Sequence, residues 1–383
     1  MTQPVVGIVG GGQLAWMMAL EARALGIKVI VQTAEETDPA VAAAKTYMSA
    51  SASNPYGTMA LTDVCDVITF ENEFIDLKAL RKLEVGGALF RPSIRSLEPL
   101  LDKYTQRQFL AQQDLPNPPY IALDETTDDH DRAVKLATSV GFPLVMKTRR
   151  LGYDGQGTFV IQTPTALQQT WQQINHQPVL LEAFIPFEKE LAVMVARSHS
   201  GGIVVYPVVE TQQVDQVCRR VIAPATISEA VEQRVTAMAR TLIERLDFVG
   251  ILGIELFLAP GDKILINEVA PRTHNSGHYT LDACETSQFA QQLLAATGRP
   301  LGSPRMTCSR ALMVNLLGFE DAEKDYADQR RQLAQIPKAH VYWYNKQVAR
   351  PGRKLGHVTV CVDTEADWEA IAQAIESIWY PAE

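Results

Sequence analysis

Gly253-Ile-Glu255-Leu-Phe257 and Leu265-Ile-Asn267-Glu268-Val269 are two strand-like runs, each carrying an acid among apolar neighbours. The connection between them contains Ala259-Pro-Gly-Asp262, which has turn chemistry, so the runs are expected to pair as a hairpin. Paired, they would bring Glu255 and Glu268 together, with Asn267 beside them. Two carboxylates in a dry sheet repel and do not both stay ionised without a cation. Magnesium is a hard cation that suits carboxylate oxygens together with triphosphate oxygens. The structural alternative is an ion pair with Arg272.

Working back along the chain, Gly141-Phe-Pro-Leu-Val-Met-Lys147 ends an apolar strand on a lysine. Burying that ammonium is costly unless an anion such as a triphosphate meets it; the alternative is a side chain that snorkels to solvent. Next comes Arg149-Arg-Leu-Gly152-Tyr-Asp-Gly155-Gln-Gly157. Its glycines allow the backbone to approach phosphate oxygens and allow the loop to move. It lacks the G-x-x-x-x-G-K-[ST] pattern, so a Walker-type loop is not expected. A plain hairpin is the other reading.

The N-terminus opens with a strand (5–10), a helix from Gln13 to Leu25 and a second strand from Lys28, a β-α-β unit that predicts a parallel sheet. Gly10-Gly-Gly12-Gln13-Leu14-Ala15 fits G-x-G-x-x-G/A. A dinucleotide site also wants an acid at the end of the second strand, but that strand ends Val31-Gln32-Thr33 and the first acids are Glu35 and Glu36. A phosphate-bearing substrate at the helix N-terminus, or a purely structural tight turn, are the readings left. Further strands are predicted at 67–70 and 88–90, with a helix starting at Pro92 and capped by Ser93.

Leu115-Pro-Asn-Pro-Pro119 is the clearest breaker cluster. Beyond it, helices are predicted near 129–140, 164–174 and 228–246. Strands are predicted near 144–148, 158–162 and 179–184, with an antiparallel stretch over 188–222. A third unit follows Arg299-Pro300, with strands near 311–316, 340–344 and 357–362 and a helix near 365–378. The expected fold class is α/β and α+β, in three parts: a Rossmann-like parallel sheet (1–105), a central nucleotide domain (106–298) and a small C-terminal domain (299–383).

A net charge of −9 argues against broad nucleic-acid binding. No apolar run is long enough to span a membrane, and Met1-Thr-Gln-Pro4 runs into a strand without a leader pattern. The five cysteines are scattered, with no C-x-x-C, which suggests neither a zinc site nor a disulfide framework and fits a reducing cytoplasm.

The lysine strand, glycine-rich loop and Glu/Asn-Glu pair together resemble the ATP-grasp superfamily over about 100–295. Five narrower motifs resemble the 5-(carboxyamino)imidazole ribonucleotide synthetases: Gly10–Leu14, Gly152–Gly157, Asn267-Glu-Val-Ala-Pro-Arg272, His274-Asn-Ser-Gly-His278 and Arg350-Pro-Gly-Arg-Lys-Leu-Gly-His357. The resemblance implies a three-part ATP-grasp architecture and an ATP-dependent carboxylation of aminoimidazole ribonucleotide by bicarbonate, with two magnesium ions, in a cytoplasmic homodimer. ATP would be held by Lys103, Lys147, the loop Gly152, Tyr153, Asp154, Gly155, Gln156, Gly157 and Thr158, by Glu182, Ala183, Phe184 and Ile185, and by Glu190, Gln213, Asn267 and Glu268. Glu255 and Glu268 would bind magnesium. Gly12, Gln13, Leu14, Glu73, Arg272, Asn275, Arg353 and Lys354 would meet the ribonucleotide. Asp154, Arg272, His274, Asn275 and Lys354 would serve the chemistry, with Asp154 the candidate proton acceptor.

The chain departs from the family pattern at Ala15-Trp16, at Phe70-Glu-Asn-Glu73, and at Gln213, where the family often has histidine. Rival readings are a formate-dependent ribonucleotide transformylase or a biotin carboxylase within the same superfamily, a nicotinamide-dependent oxidoreductase, and a non-catalytic nucleotide-binding protein.

Overall fold

The computed structural model describes residues 3–124, 130–150, 157–362 and 367–380. Strands β1 (Val5–Val9), β2 (Lys28–Thr33), β3 (Thr46–Ser49) and β4 (Val67–Phe70) form a parallel sheet in the order β3-β2-β1-β4. The Gln13–Ala24 helix buries Leu14, Met17 and Met18 in a cluster that also takes Phe289 and Leu293 from the Gln288–Ala296 helix. The first sheet is thereby fastened to the centre of the chain. Trp16 packs edge-on against Tyr342 and Tyr344, so this departure from the family pattern is a packing contact.

The strand expected at 88–90 is only a single parallel bridge between Ile68 and Phe90. Arg91 still donates to Ile68 O, but Pro92 has no N–H with which to continue the ladder. Ser93 caps the short Ile94–Leu97 helix as predicted, accepting from Ser96 N.

A second sheet holds β5 (Tyr120–Leu123), β6 (Leu144–Thr148), β7 (Thr158–Ile161) and β8 (Val179–Ala183), in the order β5-β8-β6-β7. The Pro164–Gln173 helix buries Leu167 and Trp171 in the core of this unit.

The third sheet is the largest. It contains β9 (Lys189–Arg197), β10 (Ile203–Val205), β11 (Val209–Val214), β12 (Val217–Ala223), β13 (Gly250–Ala259), β14 (Lys263–Ala270), β15 (Arg310–Leu317), β16 (Ala339–Trp343) and β17 (Lys354–Val362). Its order is β14-β13-β9-β11-β12-β15-β17-β16, with β10 beside β9. The Glu229–Arg245 helix lays Val231, Val235, Ala239 and Leu242, at helical spacing, on this layer.

The proposed chain division after residue 298 does not interrupt the sheet, because β12 pairs with β15. The division after residue 105 falls inside the Lys103–Gln112 helix, whose Lys103 and Arg107 both reach the site described next. Among the described residues no helix is long and apolar enough to cross a membrane.

Candidate active site

Strands β13 and β14 form the expected hairpin, with Glu255 opposite Glu268. The register slips there: Glu255 faces Glu268, but Leu256 faces Ile266, which leaves Asn267 as the extra residue. Successive residues of a regular strand point to opposite faces. The bulge lets Asn267 and Glu268 serve the same side. Asn267 Oδ1 accepts from Lys147 Nζ at 2.9 Å, and Glu268 Oε2 pairs with Lys103 Nζ at 2.6 Å.

Lys147 comes from β6 in the facing sheet and is buried, which decides against a side chain that snorkels to solvent. Its nearest anion is protein-borne: Glu182 Oε2 at 2.8 Å. Glu182 also pairs with Arg107, which donates to Ile266 O at 3.1 Å and to Asn267 O. Burial opposes the Glu182 charge, but Arg107 and Lys147 outweigh it and hold the carboxyl down at about 2. The Glu182 carboxylate therefore fixes Lys147 from behind. Arg107 was not singled out in the sequence, where it lies in the polar run Tyr104-Thr-Gln-Arg-Gln108.

The two hairpin acids are driven apart. Burial, then the charge of Glu268, pushes Glu255 up to about 7 against the pull of Lys103, Lys147 and Lys354. Burial also disfavours charge on Glu268, but Lys103 and Lys147 hold it down at about 2. Burial and Glu255 push Glu190 up to about 7. Glu190 and Glu255, both pushed up by burial and by a neighbouring acid, suit a divalent ion that would take up their carboxylate charge. Among the described residues no group of three or more His, Cys, Asp or Glu is gathered for one. Glu255 and Glu268 fit magnesium as two of its ligands, the remainder coming from phosphate oxygens and water.

These side chains line a cavity of about 500 Å³ between the second and third sheets. Its wall carries Lys103, Lys147, Thr158, Glu182, Ala183, Phe184, Ile185, Glu190, Gln213, Glu255, Asn267 and Glu268. Phe184 is exposed, and so is Phe187, which stacks on Phe257 with ring centroids 4.8 Å apart, an apolar lip suited to a purine. The same wall continues through Glu73, Arg272, His274, Asn275 and Lys354, so residues from all three parts of the chain meet in one space. Arg272 pairs with Glu73 at 2.9 Å, and His274 Nε2 lies 3.3 Å from Glu255 Oε1. The side-chain amides of Asn275 and Asn315 exchange hydrogen bonds of 2.9 and 2.7 Å, which adds a β15 residue that the sequence reading missed.

The loop residues Gly152, Tyr153, Asp154, Gly155 and Gln156 lie outside the described residues. Gly157 is described: it has φ +76°, and a Cβ there would sit 2.4 Å from Thr148 Oγ1, so glycine is required at the loop's end.

Gly12, Gln13, Leu14 and Arg353 are not on the cavity wall. Leu14 is core, and Arg353 donates to Val348 O. Two donors of the glycine turn meet a protein carboxylate: Gly12 N donates to Glu71 Oε1 at 2.6 Å and Ala15 N to Glu71 Oε2 at 2.9 Å. Glu71 thus takes two of the N–H groups at the helix start where the sequence suggests a substrate phosphate. A cue existed in the sequence, since a helix N-terminus leaves orphan N–H groups and an acid directly follows strand Val67–Phe70. Glu71→Ala should destabilise the fold by about 1–3 kcal/mol through buried, unsatisfied donors, read as a lower urea midpoint. Glu71→Gln should recover part of the loss.

A lysine-bearing sheet folded over a strand hairpin that carries Glu, Asn and Glu defines an ATP-grasp enzyme, and residues 108–289 match the ATP-grasp domain. Residues 2–98 match the ribonucleotide synthetase preATP-grasp domain and residues 311–371 the phosphoribosylaminoimidazole carboxylase C-terminal domain. The chain belongs to the N5-carboxyaminoimidazole ribonucleotide synthase family. It is 52% identical to the N5-carboxyaminoimidazole ribonucleotide synthase of Synechococcus elongatus, over 98% of this chain and 95% of that one.

Among solved structures it resembles the Aspergillus clavatus N5-carboxyaminoimidazole synthase in complex with ADP and 5-aminoimidazole ribonucleotide, with a TM-score of 0.90, 30% identity and 98% of each chain covered. The Thermotoga maritima N5-carboxyaminoimidazole ribonucleotide synthetase gives a TM-score of 0.84 at 38% identity, covering 97% of this chain and 98% of that one.

Proposed function

We infer that this chain is a ligase of purine biosynthesis that uses ATP to carboxylate 5-aminoimidazole ribonucleotide, giving N5-carboxyaminoimidazole ribonucleotide, ADP and phosphate. The observation that carries the reading is the single cavity lined by Lys147, Glu255 and Glu268 at one end and by Glu73, Arg272 and Lys354 at the other. Such a lining suits a triphosphate beside a second anionic substrate.

In the proposed sequence, a bicarbonate oxygen attacks the γ-phosphorus and ADP leaves, producing carboxyphosphate. The exocyclic amine then bonds to the carboxyl carbon, the amine proton passes to a base, and phosphate departs. Lys147, held by Glu182 and Asn267, offsets charge on the phosphoryl oxygens. Magnesium bound at Glu255 and Glu268 would neutralise the phosphate oxygens. Arg272, braced by Glu73, and the His274-Asn275 pair suit bicarbonate or the developing anion. Lys354, buried on the cavity wall, suits the ribonucleotide phosphate. Asp154 remains the proposed proton acceptor, and its loop would exclude water from carboxyphosphate. The family resemblance supports a second magnesium ion and a homodimer working in the cytoplasm.

ADP release with ATP, magnesium and bicarbonate tests the reading. Aminoimidazole ribonucleotide should stimulate it strongly and only with bicarbonate present. Formate with glycinamide ribonucleotide should not; stimulation by that pair alone would move the chain to the transformylases.

A further inference from the structure

Gln288 lies at the start of the Gln288–Ala296 helix and is fully buried. A glutamine there could simply have been apolar, yet each face of its amide is used. Oε1 accepts from His274 N at 2.9 Å, and Nε2 donates to His274 O at 2.7 Å. The second Nε2 hydrogen is directed at His278 Nδ1, 3.3 Å away. The side chain thus grips one residue through both of its backbone groups, as a neighbouring strand would.

The grip is tight on both sides. A Cβ on Gly277 would stand 2.5 Å from Gln288 Oε1, and a Cβ on Gly253 would stand 2.5 Å from His274 Cβ. His274 is therefore held between strand β13 and the Gln288 amide. Its ring is steered by Ser276 Oγ, 2.8 Å from Nδ1, which leaves Nε2 facing Glu255 at 3.3 Å.

We propose that Gln288 is a positioning residue for the carboxylation centre: its buried amide fixes the backbone of His274 and so sets the imidazole against Glu255. This rests on the reading above that His274 faces the reacting groups. Gln288→Glu keeps an acceptor for His274 N but turns an oxygen on His274 O. Gln288→Met keeps the volume and removes every bond. Displacing a catalytic group by about 1 Å can cost on the order of 10²-fold in rate.

The test is kcat and KM for aminoimidazole-ribonucleotide-stimulated ADP release in Gln288→Glu, Gln288→Met, His274→Ala and the double variant His274→Ala/Gln288→Met. We expect kcat to fall by about 10²-fold in each Gln288 variant with KM for ATP nearly unchanged. In the His274→Ala background, Gln288→Met should change kcat by less than about twofold, since it acts through a ring no longer present. Ser287→Ala, which uncaps the same helix by removing the acceptor for Ala290 N, should lower thermal stability and leave kcat alone.

Multiplying effects in the double variant would overturn the proposal, as would a Gln288→Met enzyme with wild-type kcat beside a slow His274→Ala enzyme. Wild-type kcat in His274→Ala would instead overturn the underlying reading, and the proposal with it. Should neither Gln288 variant fold, Gly277→Ala presses on the clamp from the loop side and carries the same expectations.

Discussion

Glu268→Ala is expected to lower aminoimidazole-ribonucleotide-stimulated ADP release by on the order of 10²–10³-fold, the usual cost of removing one electrostatic stabiliser from a phosphoryl-transfer site. Its carboxylate is already stripped of a proton, held at about 2 by Lys103 and Lys147 against its burial, whereas its partner Glu255 is pushed up to about 7 by burial and by Glu268 itself. Glu268 is thus the hairpin acid that the two lysines hold in its charged form, and Glu255 the one whose charge burial and repulsion oppose.

The fold should tolerate the change. The Glu268 side chain is 40% exposed and its removal relieves the repulsion on Glu255, but it takes the ion-pair partner from Lys103, which is 17% exposed. Melting temperature should fall only modestly. Glu268→Gln separates charge from shape: it should keep ATP binding and demand far more magnesium for half-maximal rate. Near-normal turnover in Glu268→Ala would remove the metal assignment.

The residues that carry this prediction were legible in the sequence because they break a pattern. Acids within apolar strands and a lysine ending one have no cheap structural excuse, so Lys147, Glu255 and Glu268 stood out without any knowledge of pairing. What stayed hidden depends on partners distant in sequence. Arg107 reads as a solvated helix residue until Glu182 and the carbonyls of Ile266 and Asn267 are placed around it.

The bulge at Asn267 is equally invisible, because a regular period of two would send Asn267 and Glu268 to opposite faces. The glycine turn carries the converse lesson. Two of its N–H groups meet an acid that the chain itself supplies, Glu71. The Arg299-Pro300 break interrupts the chain's local pattern, yet the third sheet continues past it from β12 to β15, since strand pairing is settled by faces and edges rather than by order along the chain.

Arg107→Met should be the most destabilising single change in the site. Arg107 and Glu182 are each 3% exposed, so the arginine cannot be replaced by water. Removing one partner of a buried ion pair costs about 3–5 kcal/mol because the other charge is left uncompensated. Lys147 remains 2.8 Å from Glu182, which places the expected loss toward the lower end. The sign of the pH dependence follows from Glu182. Its carboxyl is held at about 2, below its ordinary 4.5, so in the parent it contributes stability above about pH 4.5 that is lost as pH falls through about 2. The gap between parent and Arg107→Met should therefore be widest from neutral pH upward and should narrow in acid. Urea unfolding at pH 7 and pH 4 would measure both values. Glu182→Gln in the Arg107→Met background should regain much of the loss by removing the stranded charge. A single-variant loss under about 1 kcal/mol at pH 7, the range of an exposed pair, would mean that Arg107 and Glu182 are not the dry brace behind Lys147.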